Sequence, residues 1–111
     1  MSRILMDKGE VLAEQILFAE TTSGRMKGLL GRAGLDRSTA MLIRPCRSIH
    51  MWFMRFSIDA AFLDAELRVL KVSRNLKPWQ LAFAPPKTHS VLETAAGGLE
   101  RVQPGEALIL D

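Results

Sequence analysis

The chain has 111 residues, a net charge of +3, 48% hydrophobic and 24% charged residues, and a single cysteine. That length forms one domain with a core of its own, and one cysteine excludes an intrachain disulfide framework. The basic residues (among them Arg44, Arg47, Arg55, Arg68, Lys71, Arg74 and Lys77) are dispersed, so nucleic acid is not the expected partner.

Residues 1–10 are polar and mixed, and read as a frayed lead-in. Charge arrives too early there for a secretory leader, and no apolar run is long enough to span a bilayer, so the expectation is a cytoplasmic protein without membrane insertion. The cluster Ile16-Leu-Phe-Ala19 marks a first strand. Thr21-Thr-Ser23 can cap a helix, and Met26, Leu29, Leu30 and Ala33 recur at helical spacing, which predicts one short helix over residues 23–32. Arg25 and Arg32 would emerge on one side of it with Gly28 between them, a candidate anion or carboxylate site.

Ala40-Met-Leu-Ile43 reads as a short buried strand ended by Arg44-Pro45. The run Ser48 to Asp64 then concentrates the large apolar side chains, and Leu67 to Val72 follows as its hairpin partner. Alternation would set His50, Trp52, Met54 and Phe56 on one face and Met51, Phe53 and Arg55 on the other. Residues 75–88 read as a proline-punctuated loop with apolar anchors at Trp79, Leu81 and Phe83. Ser90 to Thr94 is a further strand, Leu99 to Val102 a single helical turn, and Ala107 to Leu110 a closing strand. Short strands separated by turns imply a mainly β fold, α+β at its margin: a compact antiparallel β-sandwich or barrel-like domain over residues 1–111.

Chemistry-bearing residues are sparse. Cys46 and His50, with Met51 and Met54 nearby, suggest a metal site, but an extended segment separates Cys46 from His50 by roughly 13 Å, so no metal and no cofactor is expected. Cys46 or His50 with Asp59 as an orienting acid is the alternative enzyme reading, a small hydrolase or transferase. Metal handling comes third. Asp59 lies between Ile58 and Ala60-Ala-Phe62, where a carboxylate must be paired with an arginine or accept backbone N–H bonds, and Glu93 has a similar setting. The leading expectation is a non-enzymatic module, monomeric or weakly dimeric, that binds a small molecule or protein partner. Its candidate ligand-binding residues are Arg25, Arg32, His50, Trp52, Met54, Asp59, Trp79 and Glu93.

From about Gly24 onward the chain resembles a prokaryotic family known as domain of unknown function 192. The resemblance rests on Arg25-Met-Lys-Gly-Leu-Leu-Gly-Arg32, Leu35, Ala40-Met-Leu42, Ile49-His-Met-Trp-Phe-Met-Arg-Phe-Ser-Ile-Asp59 and Phe62-Leu-Asp64. Pro78-Trp79, Val91-Leu-Glu93, Ala96-Gly97 and Pro104-Gly-Glu106 complete it. It implies a compact β-sandwich or barrel-like fold with a small helix, and no established activity. Three residues depart from the family pattern: Ala40 stands where glycine is usual, Glu106 where aspartate is commoner, and Leu67 where the strand turn has glycine. A turn around Asp64–Leu67 must then differ or carry strain, because leucine has no free access to positive φ.

Overall fold

The computed structural model of the protein describes residues 3–19, 38–44, 48–50 and 56–111. Its centre is a sheet built on three runs that are buried residue after residue. Strand β4 (Thr39–Ile43) and strand β6 (Ile58–Leu63) are buried at every position, and β9 (Ser90–Ala95) at all but its last. A strand buried along its whole length must be covered on both faces, and these three lie side by side in a five-stranded sheet. The order is β3-β4-β9-β6-β7, with β3 (Gln15–Ala19) and β7 (Val69–Leu76) at the edges.

One face of this sheet, carrying Leu42, Ala61, Leu63 and Leu92, packs on Ile4, Met6, Ala13 and Leu108. These belong to a second, antiparallel sheet in which β1 (Ile4–Met6) lies between β2 (Val11–Ala13) and β10 (Leu108–Leu110). The opposite face, carrying Met41, Ile43, Ile58, Ala60, Phe62 and Val91, packs on Ala82. Ala82 lies in a two-stranded sheet of β5 (Ser48–His50) and β8 (Leu81–Phe83). Alternation explains the division, since Ala60 and Ala61 must point to opposite faces of one pleated strand. The fold is thus mainly β, as expected.

Four expectations need correction. The expected frayed lead-in is ordered over its described residues, 3–10: Ile4 and Met6 are fully buried, and Arg3 N and Asp111 N each donate to the other residue's carbonyl, at 3.1 and 2.9 Å. A three-residue strand flanked by charge is too short to declare its period, but its pairing on both sides secures it. Pairing is not antiparallel throughout, because β3 runs parallel to β4, from Gln15 opposite Thr39 to Ala19 opposite Ile43. A parallel pair needs a connection of about a dozen residues or more, and the chain between these strands is long enough. Ser48 to Asp64 is not one strand, since β5 pairs in a different sheet from β6. Residues 75–88 are not wholly loop, because β7 runs on to Leu76 and β8 follows. The predicted helix at 23–32 lies outside the described residues.

The β6–β7 hairpin carries the anticipated strain. Leu67 has a φ of 65°, the value glycine adopts freely, and its N–H donates to Asp64 O at 3.0 Å. Asp64 Oδ1 holds the turn by accepting from Glu66 N and Arg68 N, both at 2.9 Å. The Leu67 side chain, half buried against the β1–β2–β10 side of the core, offsets part of the backbone cost of about 1 to 2 kcal/mol.

Removing the Met6 side chain tests the corrected N-terminus. Met6→Ala is expected to lower stability by about 2 to 5 kcal/mol in urea unfolding, the range for truncation of a fully buried side chain. An unchanged midpoint would mean that the first residues are not part of the core.

Candidate functional site

Asp59 is 1% exposed and lies opposite Thr94 of β9, on the face it shares with Ala61 and Leu63. Its Oδ1 accepts from Asn75 N at 2.9 Å, and its Oδ2 accepts from Gly97 N and Leu99 N, both at 3.1 Å. The local sequence supplies each donor. Between Ile58 and Ala60 the register on β7 advances from Leu76 to Ser73, a bulge that contains Asn75. Asn75 takes a φ of 54° there, a conformation asparagine tolerates better than most residues. Gly97 takes a φ of 91° in the turn after β9, and a Cβ on Gly98 would lie 2.5 Å from Thr94 Oγ1. The turn Ala95-Ala-Gly-Gly-Leu99 therefore wraps closely enough to aim two N–H groups at one carboxylate oxygen. Of the two partner types expected for Asp59, the structure has backbone N–H.

This arrangement gives Asp59 a role in the fold. Asp59→Asn retains one acceptor oxygen, but its NH₂ group meets an N–H donor wherever the amide is turned. The expected loss is about 1 to 3 kcal/mol, one unsatisfied donor. Asp59→Ala strands all three donors and is expected to cost more, about 3 to 5 kcal/mol. Urea unfolding of both variants beside wild type is the measurement, and equal midpoints in all three would contradict the assignment.

Glu93 is fully buried on the opposite face of the sheet, between Met41 on β4 and Ala60 on β6, and it is engaged there. The sheet therefore separates the two acidic candidates. Asp59 faces the turn after β9, whereas Glu93 belongs to the face on which Ala82 packs.

Above that second face, β5 and β8 pair with Ile49 opposite Ala82 and His50 opposite Leu81. Strand β8 turns its alanine inward and its large residues outward: Ala82 is 6% exposed, Leu81 48% and Phe83 68%. Trp79, two residues upstream, is 61% exposed. It occupies the third position of the turn Lys77–Gln80, closed by Gln80 N donating to Lys77 O at 3.1 Å and Lys77 N donating to Gln80 Oε1 at 2.7 Å. Pro78 fits the second position, but a φ of 71° at Trp79 is one that such turns usually reserve for glycine.

A similar turn follows β8. Thr88 N donates to Pro85 O at 3.3 Å, the Thr88 hydroxyl donates to the same oxygen at 2.7 Å, and Lys87 has a φ of 74°. A cleft of about 420 Å³ opens along Ala84–Thr88. Lys71 Nζ donates to Phe83 O at 3.1 Å and stands 5.5 Å from the centre of the buried Phe62 ring, tying β8 to the edge of the main sheet. Between Leu67 and Leu92 the sequence has Arg68, Lys71, Arg74, Lys77 and Lys87 and no Asp or Glu.

The structure thus brings together the His50 strand and the Trp79 turn, on the side of the sheet that carries Glu93, and sets Asp59 on the other side. Arg25, Arg32, Cys46, Trp52 and Met54 lie outside the described residues. Among the described residues, no three His, Cys, Asp or Glu side chains are grouped to hold a metal ion. Trp79, Leu81 and Phe83, all three expected as anchors, are not buried. The signal that could have revealed this is the small Ala82 between two large residues, which in a strand points the alanine inward.

Comparison with known proteins follows the fold. The family described as Uncharacterized ACR, domain of unknown function 192, matches residues 3–110. A UPF0127 protein of Thermococcus sibiricus is 29% identical over 97 residues, covering 84% of this chain and 62% of that protein. A UPF0127 protein of Pyrococcus horikoshii is 39% identical over 57 residues, 51% of this chain and 49% of that protein. The chain spans less than two thirds of the length of these curated relatives. Among solved structures, a Novosphingobium aromaticivorans protein of unknown function superposes with a TM-score of 0.80 at 23% identity, over 97% of this chain and 82% of that one. A Sinorhizobium meliloti protein described as a candidate transcription regulator gives 0.79 at 23% identity, over 98% and 91%. At that identity the likeness is one of fold alone.

Proposed function

This chain belongs to the uncharacterised family domain of unknown function 192, and from that premise we propose that it is a non-enzymatic binding module whose contact surface is the outward side of β8. The observation that carries this reading is the exposure of Trp79, Leu81 and Phe83 on one short strand and its leading turn. Burying such a side chain contributes about 1.5 to 3 kcal/mol, so a turn and strand that bury one alanine and leave three large residues outward forgo stability. Apolar surface grouped in this way is the mark of an interaction site. The left-handed backbone at Trp79 supports the same reading, since strain of this kind concentrates at ligand-contacting positions.

The hydrolase or transferase alternative relies on Asp59 to orient His50 or Cys46. Both Asp59 oxygens already accept backbone N–H bonds, on the sheet face away from β5 and β8. That leaves the constellation without its acid and favours binding over catalysis.

A photocrosslinking side chain placed at Leu81 and, as a control, at the exposed Glu66 turn tests this in living cells. The expected outcome is a discrete adduct at position 81, identified by mass as protein, lipid or small molecule, and reduced by Phe83→Ser. Equal, non-specific labelling at both positions would contradict the reading.

A further inference from the structure

We propose, resting on that reading of β8, that the ridge docks on an anionic phospholipid surface. Trp79, Leu81 and Phe83 enter the boundary between headgroups and acyl chains, and Lys77 and Lys87 meet the lipid phosphates.

Three observations select this occupant. The first is shape. Exposures of 61%, 48% and 68% at alternate positions 79, 81 and 83 describe side chains standing out from the surface, with only Ala82 turned in. A partner helix or an apolar peptide is held in a groove, whereas a ridge suits a soft, deformable surface. The second is area. Three side chains at these exposures present roughly 400 Å², with about 150 to 250 Å² for each whole aromatic. A standard protein interface takes about 800 Å² from each partner, but a bilayer accepts a small apolar wedge without matching its outline.

The third is charge. Lys77 and Lys87 are both exposed, one at each end of the apolar row, and the sequence from Leu67 to Leu92 has no carboxylate to repel a phosphate. Tryptophan and lysine together are suited to this boundary, the indole lying at headgroup level and the ammonium reaching the phosphates. Among the described residues no helix is long and apolar enough to cross a membrane, and the contact proposed for this ridge is a peripheral one.

The test is co-sedimentation of the full chain with vesicles of phosphatidylcholine containing about 30% phosphatidylglycerol, and with pure phosphatidylcholine, at near-physiological salt. The expected result is binding to the anionic vesicles, weakened at least about tenfold by Lys77→Glu with Lys87→Glu and likewise by Leu81→Ser with Phe83→Ser. Urea midpoints serve to confirm that both variants fold. Brominated lipid should quench the wild-type tryptophan emission, and Trp79→Phe should remove most of that quenching while retaining binding. No binding of wild type to anionic vesicles would overturn the inference, as would unchanged binding of the folded double variants. Displacement by inorganic phosphate alone would overturn it too, since that marks an ion site. If vesicles fail while the crosslinker at position 81 captures a protein, the lipid inference falls and the binding-module reading stands. If both fail, both fall.

Discussion

The carboxylate of Asp59 ties together its own strand, the β7 bulge and the turn after β9. It sits in the middle strand of the β9-β6-β7 group and accepts the N–H of Asn75 on one side and those of Gly97 and Leu99 on the other. A carboxylate taken out of water must recover its lost hydration through hydrogen bonds, and three backbone donors do so without a counter-charge. The requirement runs both ways. A bulge and a glycine turn leave N–H groups off the ladder, and a buried N–H also needs a partner. Asp59 meets both needs, so the β7 bulge and the turn through Gly97 to Leu99 share one side chain.

With that end of the sheet fixed, the two faces take different work. The face toward β1, β2 and β10 is closed by aliphatic side chains from both ends of the chain, Ile4 and Met6 against Leu108. The other face meets β8, which contributes Ala82 and leaves Leu81 and Phe83 in solvent. Both faces of the main sheet are buried, and the accessible apolar surface lies beyond it, on the outer side of β8. Lys71 links the two, reaching from the edge strand β7 to the carbonyl of Phe83. The ridge is thereby tied to the main sheet and is not an independent flap.

Much of the sheet was legible in the residues. The apolar runs that became β4, β6 and β9 are long enough, and rich enough in branched and aromatic side chains, to declare themselves. The strained turn at Leu67 was legible through the family resemblance, because leucine stands where that pattern has glycine, and its φ is positive. Asp59 was recognisable as buried and partnered from its neighbours alone. Its partners were not, because they come from residues 16, 38 and 40 positions away, and no local pattern encodes that convergence. Strand β1 was missed because Ile4-Leu-Met6 is too short for any period. The parallel pairing of β3 with β4 was missed because side-chain alternation is the same in either direction. The candidate site was legible only in part. The His50 strand and the Trp79 turn do come together, but Asp59, grouped with them as an orienting acid, lies in another sheet on the face away from β8, a separation no local pattern encodes.

Amide hydrogen exchange by NMR on the wild-type protein, with Asp59→Asn for comparison, tests the central role of this carboxylate most directly. The account predicts that the N–H groups of Asn75, Gly97 and Leu99, remote in sequence, are all protected in the wild type. In the variant at least one of them loses protection, while the ladder amides of Leu92 and Ala61 keep theirs. Rapid exchange of the three amides in the wild-type protein, or protection unaltered by the substitution, would contradict it.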